Sequence, residues 1–278
     1  MFLKRQTGEM VGGDIRAKIQ LSAQADRASG VLVLSSAASK RLIAKAVVEL
    51  PQVQRALKAG RVIITNGTTN AYVVEELLGE SVAKYNYAGG YIAHGQLTAT
   101  SRDVRWPPCV LVKGSRVDTP VDQVLREFGA EDVFIKGANA LDTGGCVGIL
   151  VAGDTGGTIG AALPILASRG AQLIVPVGLE KLVPSVQEAA SKCGQSRFDY
   201  VMGRPVGLVP VMNATVVTEI QALSVLFQVD ATHVASGGIG GYEGAVTLVV
   251  EGSRDAVRSA FQLAEAIKTE PAIAVGLA

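Results

Sequence analysis

Short runs of apolar, mostly β-branched residues alternate along the chain with longer segments in which apolar residues recur at helical spacing. A short run that is apolar on both faces is typical of a strand buried inside a parallel sheet. Such strands are predicted at residues 31–34, 62–64, 132–135 and 171–177. Helices are predicted at residues 40–50, 52–57, 71–78, 121–128 and 156–168. This alternation predicts an α/β fold with an open, mostly parallel, Rossmann-like sheet.

Two parts of the chain depart from this pattern. Residues 88–117 combine Gly-Gly, Pro-Pro and alternating apolar positions, which favours hairpins over a strand–helix–strand unit. After a boundary at residues 194–205, the predicted elements are strand 206–212, helix 215–227, strands 231–235 and 245–250, helix 253–267 and strand 272–275. This βαββαβ order is that of a ferredoxin-like domain. We therefore predict an α/β domain over residues 1–200, with a polar, partly helical first thirty residues, and a ferredoxin-like domain over residues 201–278.

Composition narrows the classes of function. The chain has 278 residues, of which 48% are hydrophobic and 5% aromatic, and 26 Lys and Arg balance 25 Asp and Glu to give a net charge of +1. Nucleic-acid partners are not expected, because they need a clustered basic excess. No apolar run is long enough to span a membrane, and no targeting signal is recognisable. The three cysteines are widely separated, which indicates reduced thiols in a cytoplasmic protein with no metal site and no cofactor.

A polar turn follows the strand at residues 62–64. It reads Asn66-Gly67-Thr68-Thr69-Asn70 and opens the helix at residues 71–78. Free backbone N–H groups at a helix N-terminus, flanked by hydroxyl and amide side chains, form a natural anion site. The alternative is a simple helix cap, a position that Thr and Asn favour for local reasons. We predict that these five residues bind the anionic group of a small metabolite.

Two further turns place polar groups near the same predicted edge of the sheet. Substrate-binding residues expected there are Lys136, Gly137 and Asn139 in the first turn and Gly156, Gly157 and Thr158 in the second. Ligands in open α/β sheets sit outside the carboxyl ends of the strands, which is where these turns are predicted. Lys136 could instead be a solvated lysine, and Asn139 could serve only the turn geometry.

The first two turns resemble those of a known superfamily. Residues 56–79 resemble the phosphate-loop region of ribose-5-phosphate isomerases, which has the same strand, a Gly-Thr-Gly-Ser-Thr type loop and a helix carrying Glu-Glu-Leu. Residues 132–142 resemble the Asp-Gly-Ala-Asp-Glu segment of that family and the Gly-Ala-Asp segment of methylthioribose-1-phosphate isomerases. Residues 157–160 are similar to the helix start that follows in the latter. The resemblance covers residues 31–184, and the superfamily also includes glucosamine-phosphate deaminases and CoA transferases.

The resemblance implies an enzyme, although the second turn departs from the family pattern. Lys136 and Asn139 stand where the isomerases carry carboxylates, and an amide cannot act as a base. The remaining candidates for catalysis are Asp142 and Asp154 as bases, and Glu180 as a nucleophile of the CoA-transferase type. The function expected is therefore that of an isomerase-like or transferase-like enzyme acting on a phosphorylated or CoA-linked anionic metabolite. The alternatives are a non-catalytic metabolite sensor and an assembly subunit.

A glycine-rich run at residues 237–241 lies between two predicted strands. A dinucleotide-binding fingerprint needs its glycines between a strand and a helix, so that interpretation fails here. A hairpin loop that covers the crevice of the large domain is one expectation. The other is that the apolar strands beside it pair across a dimer interface, which would make the protein a homo-oligomer.

Overall fold

The protein is described by a computed structural model of residues 26–276. The sequence predicts a polar, partly helical segment over the first thirty residues. Residues 1–25 of that segment lie outside the described residues. Strand β1 occupies Arg27–Leu34. No helix within residues 26–276 is both long and apolar enough to cross a membrane.

The remaining elements follow the predicted alternation of strands and helices. The strands are β2 (Arg61–Ile64), β3 (Gly90–Ala93), β4 (Gln96–Ala99), β5 (Cys109–Val112), β6 (Ser115–Val117), β7 (Val133–Ile135), β8 (Ala140–Leu141), β9 (Val147–Val151), β10 (Gln172–Pro176), β11 (Gly207–Val211), β12 (Thr215–Val217), β13 (Asp230–Ser236) and β14 (Val246–Ser253). The helices are α1 (Ser36–Glu49), α2 (Pro51–Ala59), α3 (Thr68–Leu78), α4 (Lys84–Tyr87), α5 (Val121–Leu125), α6 (Gly157–Arg169), α7 (Val186–Lys192), α8 (Glu219–Phe227) and α9 (Arg254–Ile267).

A mostly parallel sheet of six strands lies at the centre, in the order β12-β10-β7-β2-β5-β6. Strands β12, β10, β7 and β2 run parallel to one another, and β5 and β6 form an antiparallel hairpin on the far side of β2. The inner strands are apolar on both faces and are fully buried, as at Ile63, Phe134 and Ile174. The predicted α/β class and the mostly parallel sheet are therefore confirmed.

Local signals fix the beginnings of the helices around this sheet. The Ser35 hydroxyl caps α1 by accepting a hydrogen bond from the Ala38 N–H, at 3.2 Å. Pro51 opens α2 at a position where a missing N–H costs nothing. Helix α1 packs against α3 and α8, so its buried face connects early and late parts of the chain.

Antiparallel pairs occupy residues 88–117, as predicted. Strands β3 and β4 pair with each other, and so do β5 and β6. Strands β8, β9 and β11 form a separate antiparallel sheet.

The region after residue 200 differs from the ferredoxin-like prediction. Residues 215–217, predicted as the start of a helix, form β12 and pair with residues 174–176 of β10 in the central sheet. Residues 272–275, predicted as a strand, have no strand pairing. Strand β11 pairs with β9, and strands β13 and β14 form a three-stranded sheet with β1.

Tertiary pairing explains the difference. Thr-Val-Val suits a strand as well as a helix, and the open edge of β10 decides between them. The strands after residue 200 thus complete three sheets begun earlier in the chain. Residues 1–200 and 201–278, predicted as separate domains, share one hydrophobic core in the described part of the chain.

A second feature joins the start and the end of the described chain. The ion-pair network consists of Arg41, Lys45, Glu75, Glu76, Lys84 and Glu270, so three cations face three carboxylates. Arg41 is its centre, because its guanidinium nitrogens lie 2.6 Å from Glu75, 2.8 Å from Glu76 and 2.9 Å from Glu270. The network holds the segment after α9 against α1 and α3.

Candidate functional site

The four parallel strands end at one edge of the central sheet, and polar side chains gather there. We call this group the sheet-edge cluster. Its members are Ser39, Lys40, Thr65, Asn70, Lys136, Glu180, Lys181 and Glu219. Thr65 follows β2, Lys136 follows β7, and Glu219 follows β12 after one intervening residue. The cluster occupies the place where open α/β sheets bind ligands.

The first turn of α1 supplies a cation to this cluster. The Lys40 ammonium donates hydrogen bonds to the Ser36 carbonyl oxygen and to Glu180 Oε1, each at 3.1 Å, and also contacts the Ser36 hydroxyl. The Lys40 and Glu180 side chains are only 11% and 17% exposed. Burial by itself would raise the pKa of Glu180, but the charges of Lys40 and Lys181 and the Ser36 hydroxyl lower it overall. Glu180 is therefore an ionised carboxylate held by a lysine.

Two further lysines of the cluster are half-buried. Burial lowers the pKa of Lys136 to about 8. Burial also lowers the pKa of Lys181 to about 8, helped by the charges of Lys40 and Lys136 and opposed by those of the two glutamates. The Lys181 ammonium is fixed by a 2.8 Å hydrogen bond to the Ala138 carbonyl oxygen. Within residues 26–276, the Lys136 ammonium makes neither a hydrogen bond nor an ion pair.

Three buried polar atoms of the cluster also lack hydrogen-bond partners in the described structure. They are Ser39 Oγ, Asn70 Oδ1 and Glu219 Oε1. Burial raises the pKa of Glu219. The Leu179 N–H, which donates to the other carboxyl oxygen at 2.9 Å, and the nearby Ser39 hydroxyl both lower this pKa, but burial outweighs them. Unsatisfied buried groups cost free energy, so several of them in one place mark a site built for something else to bind.

Two glycines lie beside the unpaired oxygens of the cluster. A Cβ at Gly137 would lie 3.8 Å from Asn70 Oδ1, and a Cβ at Gly178 would lie 3.2 Å from Glu219 Oε1. The glycine-rich loop between β13 and β14 reaches the outer side, where a Cβ at Gly244 would lie 2.8 Å from Glu180 Oε2. A side chain at Gly244 would therefore require the Glu180 carboxylate to shift. This is the loop expected from the sequence to cover the crevice.

The residues of the predicted anion loop make two different sets of contacts. The Asn66 amide donates to the carbonyl oxygens of Tyr87 and Trp106, and the Gly67 N–H also donates to Tyr87, so both residues anchor the segment around residue 87. Asn70 reaches the cluster, because its amide donates to the carbonyl oxygens of Thr65 and Ile135 at 2.8 and 3.3 Å. Thr68 and Thr69 form the first turn of α3. No side chain caps this helix, so its start is not a simple cap.

The predicted bases Asp142 and Asp154 lie elsewhere. Asp142 accepts hydrogen bonds from three backbone N–H groups, those of Gly144, Cys146 and Val186, at 2.9 to 3.1 Å. Its carboxylate therefore holds a turn together. Asp154 is exposed, and within residues 26–276 no hydrogen bond connects it to the cluster.

Asn139 and the second glycine turn are also separate from the cluster. The Asn139 side chain accepts a hydrogen bond from the Leu150 N–H at 3.0 Å, which ties it to β9. Gly156 and Gly157 have left-handed backbones, with φ of 76° and 60°, and together with the exposed Thr158 they form the beginning of α6. Of the predicted site residues, the structure thus brings together Asn70, Lys136, Gly137 and Glu180.

Sequence reasoning missed five charged or hydroxyl groups of the cluster. Ser39 and Lys40 lie at the beginning of a helix, and Glu219 was hidden because residues 215–227 were predicted as one helix. Thr65 directly precedes the predicted anion loop and Lys181 adjoins Glu180 in the sequence, so these two missed residues had a local signal. The signal for the other three is a polar residue in the first turn of a helix that follows a buried strand.

Comparisons of the chain with protein-family models, curated proteins and solved structures give no match. Within residues 26–276, no group of three or more His, Cys, Asp or Glu side chains is arranged to hold a metal ion. The chemistry open to the cluster is that of its own ammonium, carboxyl, hydroxyl and amide groups.

Proposed function

We propose that the protein is an enzyme that binds a small anionic metabolite, such as a sugar phosphate, in the sheet-edge cluster and moves a proton on it. The observation that carries this proposal is the half-buried Lys136 ammonium, which has no partner among the described residues, in one cluster with the unpaired buried oxygens of Asn70 and Glu219. Buried charges in folded proteins are normally paired. An ammonium without a partner, at the ligand-binding edge of an α/β sheet, supports an anion as the missing partner.

The charge balance of the cluster favours the same ligand. Lys40, Lys136 and Lys181 face only Glu180 and Glu219, and burial raises the pKa of Glu219. With Glu219 protonated, the cluster carries an excess of two positive charges. A doubly charged anion would neutralise this excess, and a singly charged anion would halve it.

Glu219 supplies the acid–base chemistry in this proposal. A carboxyl whose pKa is raised by burial can carry a proton near neutral pH and give it to a bound substrate. Its Oε1 makes no hydrogen bond of regular geometry in the described structure, and the hydroxyl nearest to this carboxyl is that of Ser39. Glu180 instead stays ionised and positions Lys40. Isomerase-type proton transfer therefore suits the cluster better than a glutamate nucleophile.

Thermal-shift measurements test the proposal. Inorganic phosphate, ribose 5-phosphate, CoA and citrate would be screened against the wild-type protein, Lys136→Met and Lys192→Met. Lys192 is an exposed lysine at the end of α7 and serves as the matched control. We expect at least one anion to raise the melting temperature of wild type and Lys192→Met, and not that of Lys136→Met.

Two results would contradict it. One is that no anion stabilises the wild-type protein, and the other is that the stabilisation persists in Lys136→Met. Stabilisation lost in Lys136→Met, with no turnover of the bound compound, would favour the non-catalytic sensor instead.

A further inference from the structure

We propose that Lys136 is an amine nucleophile that forms an imine with a carbonyl group of the bound anion. This inference rests on the proposed function and specifies its substrate class. The substrate would be an anion that also carries an aldehyde or ketone, such as a 2-oxo acid or an open-chain sugar phosphate.

The first support is the difference between Lys136 and the other buried lysines. Lys40 is paired with Glu180, Lys84 with Glu75, and Lys181 is bonded to a carbonyl oxygen. A lysine held by a carboxylate keeps its proton, and a protonated amine has no lone pair for attack. Lys136 has no such partner among the described residues, so nothing fixes its proton.

The second support is the surroundings of the Lys136 amine. A lysine becomes nucleophilic when it is desolvated and lies next to another cation. Lys136 is desolvated, and Lys181 is close enough for the two charges to repel each other. Since the pKa of Lys136 lies at about 8, its neutral fraction at pH 7 is on the order of a hundredfold larger than that of an ordinary lysine.

The third support is a proton donor for the carbonyl oxygen. The neutral amine attacks the carbonyl carbon, a C–N bond forms, and the oxygen takes a proton from the Glu219 carboxyl to give a carbinolamine. The C–O bond then breaks, and the oxygen leaves as water with the proton from Glu219 and one of the two protons of the amine nitrogen. The other proton stays on the nitrogen of the protonated imine, and Glu219 is left as a carboxylate. Asn70 Oδ1, an unpaired acceptor near Gly137, can accept an N–H of the intermediate. Nothing is oxidised or reduced.

The charge of the cluster is preserved through this reaction. A protonated imine on Lys136 carries the same positive charge as the ammonium that it replaces. Lys181, held on the Ala138 carbonyl oxygen, remains a cation for the anionic group. Binding and imine formation therefore do not compete for the same charge.

Borohydride trapping tests this inference on the full-length protein. The wild type would be incubated with pyruvate or with ribose 5-phosphate, reduced with sodium borohydride, digested and analysed by mass spectrometry. We expect a stable secondary-amine adduct on Lys136, exceeding any adduct on the exposed Lys192 by about tenfold or more. Lys136→Arg keeps the positive charge, so it should still be stabilised by the anion while forming no adduct.

The outcomes separate this inference from the proposed function. If an anion stabilises the protein but neither carbonyl compound gives an adduct on Lys136, the imine is wrong and the anion site stands. Adducts spread equally over Lys192 and Lys136, or found on Lys181 alone, also overturn the imine. If no anion stabilises the wild type, both proposals fail.

Discussion

The ion-pair network and the sheet-edge cluster are both buried groups of charged side chains, but they differ in pairing. In the network, three cations and three carboxylates satisfy one another, and Arg41 alone bonds to three glutamates. In the cluster, Lys136 and three polar oxygens have no partner among the described residues. A neutral, saturated group serves to hold elements together, whereas an unsaturated group is held in place at a cost in stability.

The shape of the surface points to the ion-pair network rather than to the cluster. A depression of about 510 Å³ lies over the network and is lined by Arg41, Glu75, Glu76 and Lys84, among others. Its volume is that of a ligand pocket, but its charges are already paired. The Tyr72 ring lies between the Arg41 and Lys84 cations, 4.7 Å from each, although its buried hydroxyl has no hydrogen-bond partner in the described structure. Charge pairing and concavity therefore point to different regions of the molecule.

The largest effect that distinguishes the two regions is expected at Arg41. Arg41→Met leaves three partly buried carboxylates without their central partner, so we expect a loss of about 3 kcal/mol in the free energy of unfolding. The melting temperature should fall by about 6–12 °C. Thermal and denaturant unfolding would measure both. Arg258→Met is the control, because its pair with Asp255 is exposed. If Arg41→Met lowers the free energy of unfolding no more than Arg258→Met does, the network does not stabilise the fold.

A substitution at Lys136 is expected to increase the free energy of unfolding, whereas the one at Arg41 decreases it. Lys136→Met removes an unpaired buried cation, so it should raise the free energy of unfolding at pH 7 by about 1 kcal/mol, after allowing for partial exposure of the side chain. Between its folded pKa of about 8 and its ordinary value of 10.5, the unfolded chain binds more protons than the folded chain. Wild-type stability attributable to Lys136 therefore rises with pH across this window.

The gap between Lys136→Met and wild type should accordingly narrow as the pH increases from 8 to 10.5. Urea unfolding at several pH values would measure it, with Lys192→Met to account for general titration. The groups that face these lysines, Lys40, Lys181, Glu180 and Glu219, are unchanged in both variants. A gap that widens with pH would show that Lys136 is paired in the folded protein.

The smallest effect is expected at Glu219. Glu219→Gln resembles a protonated carboxyl in shape, and the amide oxygen can still accept the Leu179 N–H, so the free energy of unfolding should change by less than about 1 kcal/mol. Glu75→Gln is the matched change in the network, where hydrogen bonds from Lys84, Val82 and Arg41 outweigh burial and lower the pKa of the carboxyl. That variant should cost about 2 kcal/mol. Equal costs at the two positions would show that Glu219 is ionised.

The sequence predicts the central sheet well, because its strands depend on local composition. Runs such as Val62-Ile63-Ile64 are apolar on both faces and suit only a buried position. Strand β12 was missed because three residues carry too little signal, and its place is decided by the edge of β10. The ferredoxin-like order failed for the same reason, since the partners of β13 and β14 include a strand from the start of the chain.

Some residues of the candidate site can likewise be predicted from local sequence, and others depend on tertiary contacts. Lys136 follows a buried strand directly, and Asn70 lies in the predicted turn after another, so the sequence alone indicates the edge at which they lie. Asp142 was predicted as a base because it is a carboxylate in one of these turns, but it is bound by three backbone N–H groups that no sequence pattern reveals. Ser39 and Glu219 meet only because α1 packs against α8, a contact between distant parts of the chain.

The pairing of β1 with β14 has a consequence for the order of folding. Leu34 at the start of the described chain pairs with Val246 near its end, and β1 leads directly into the helix that carries Ser39 and Lys40. Contacts between such distant residues form slowly, because a long loop must close before they provide any stabilisation. On a ribosome, β1 must wait for β14 to emerge, so a truncated or stalled chain would leave the site incomplete.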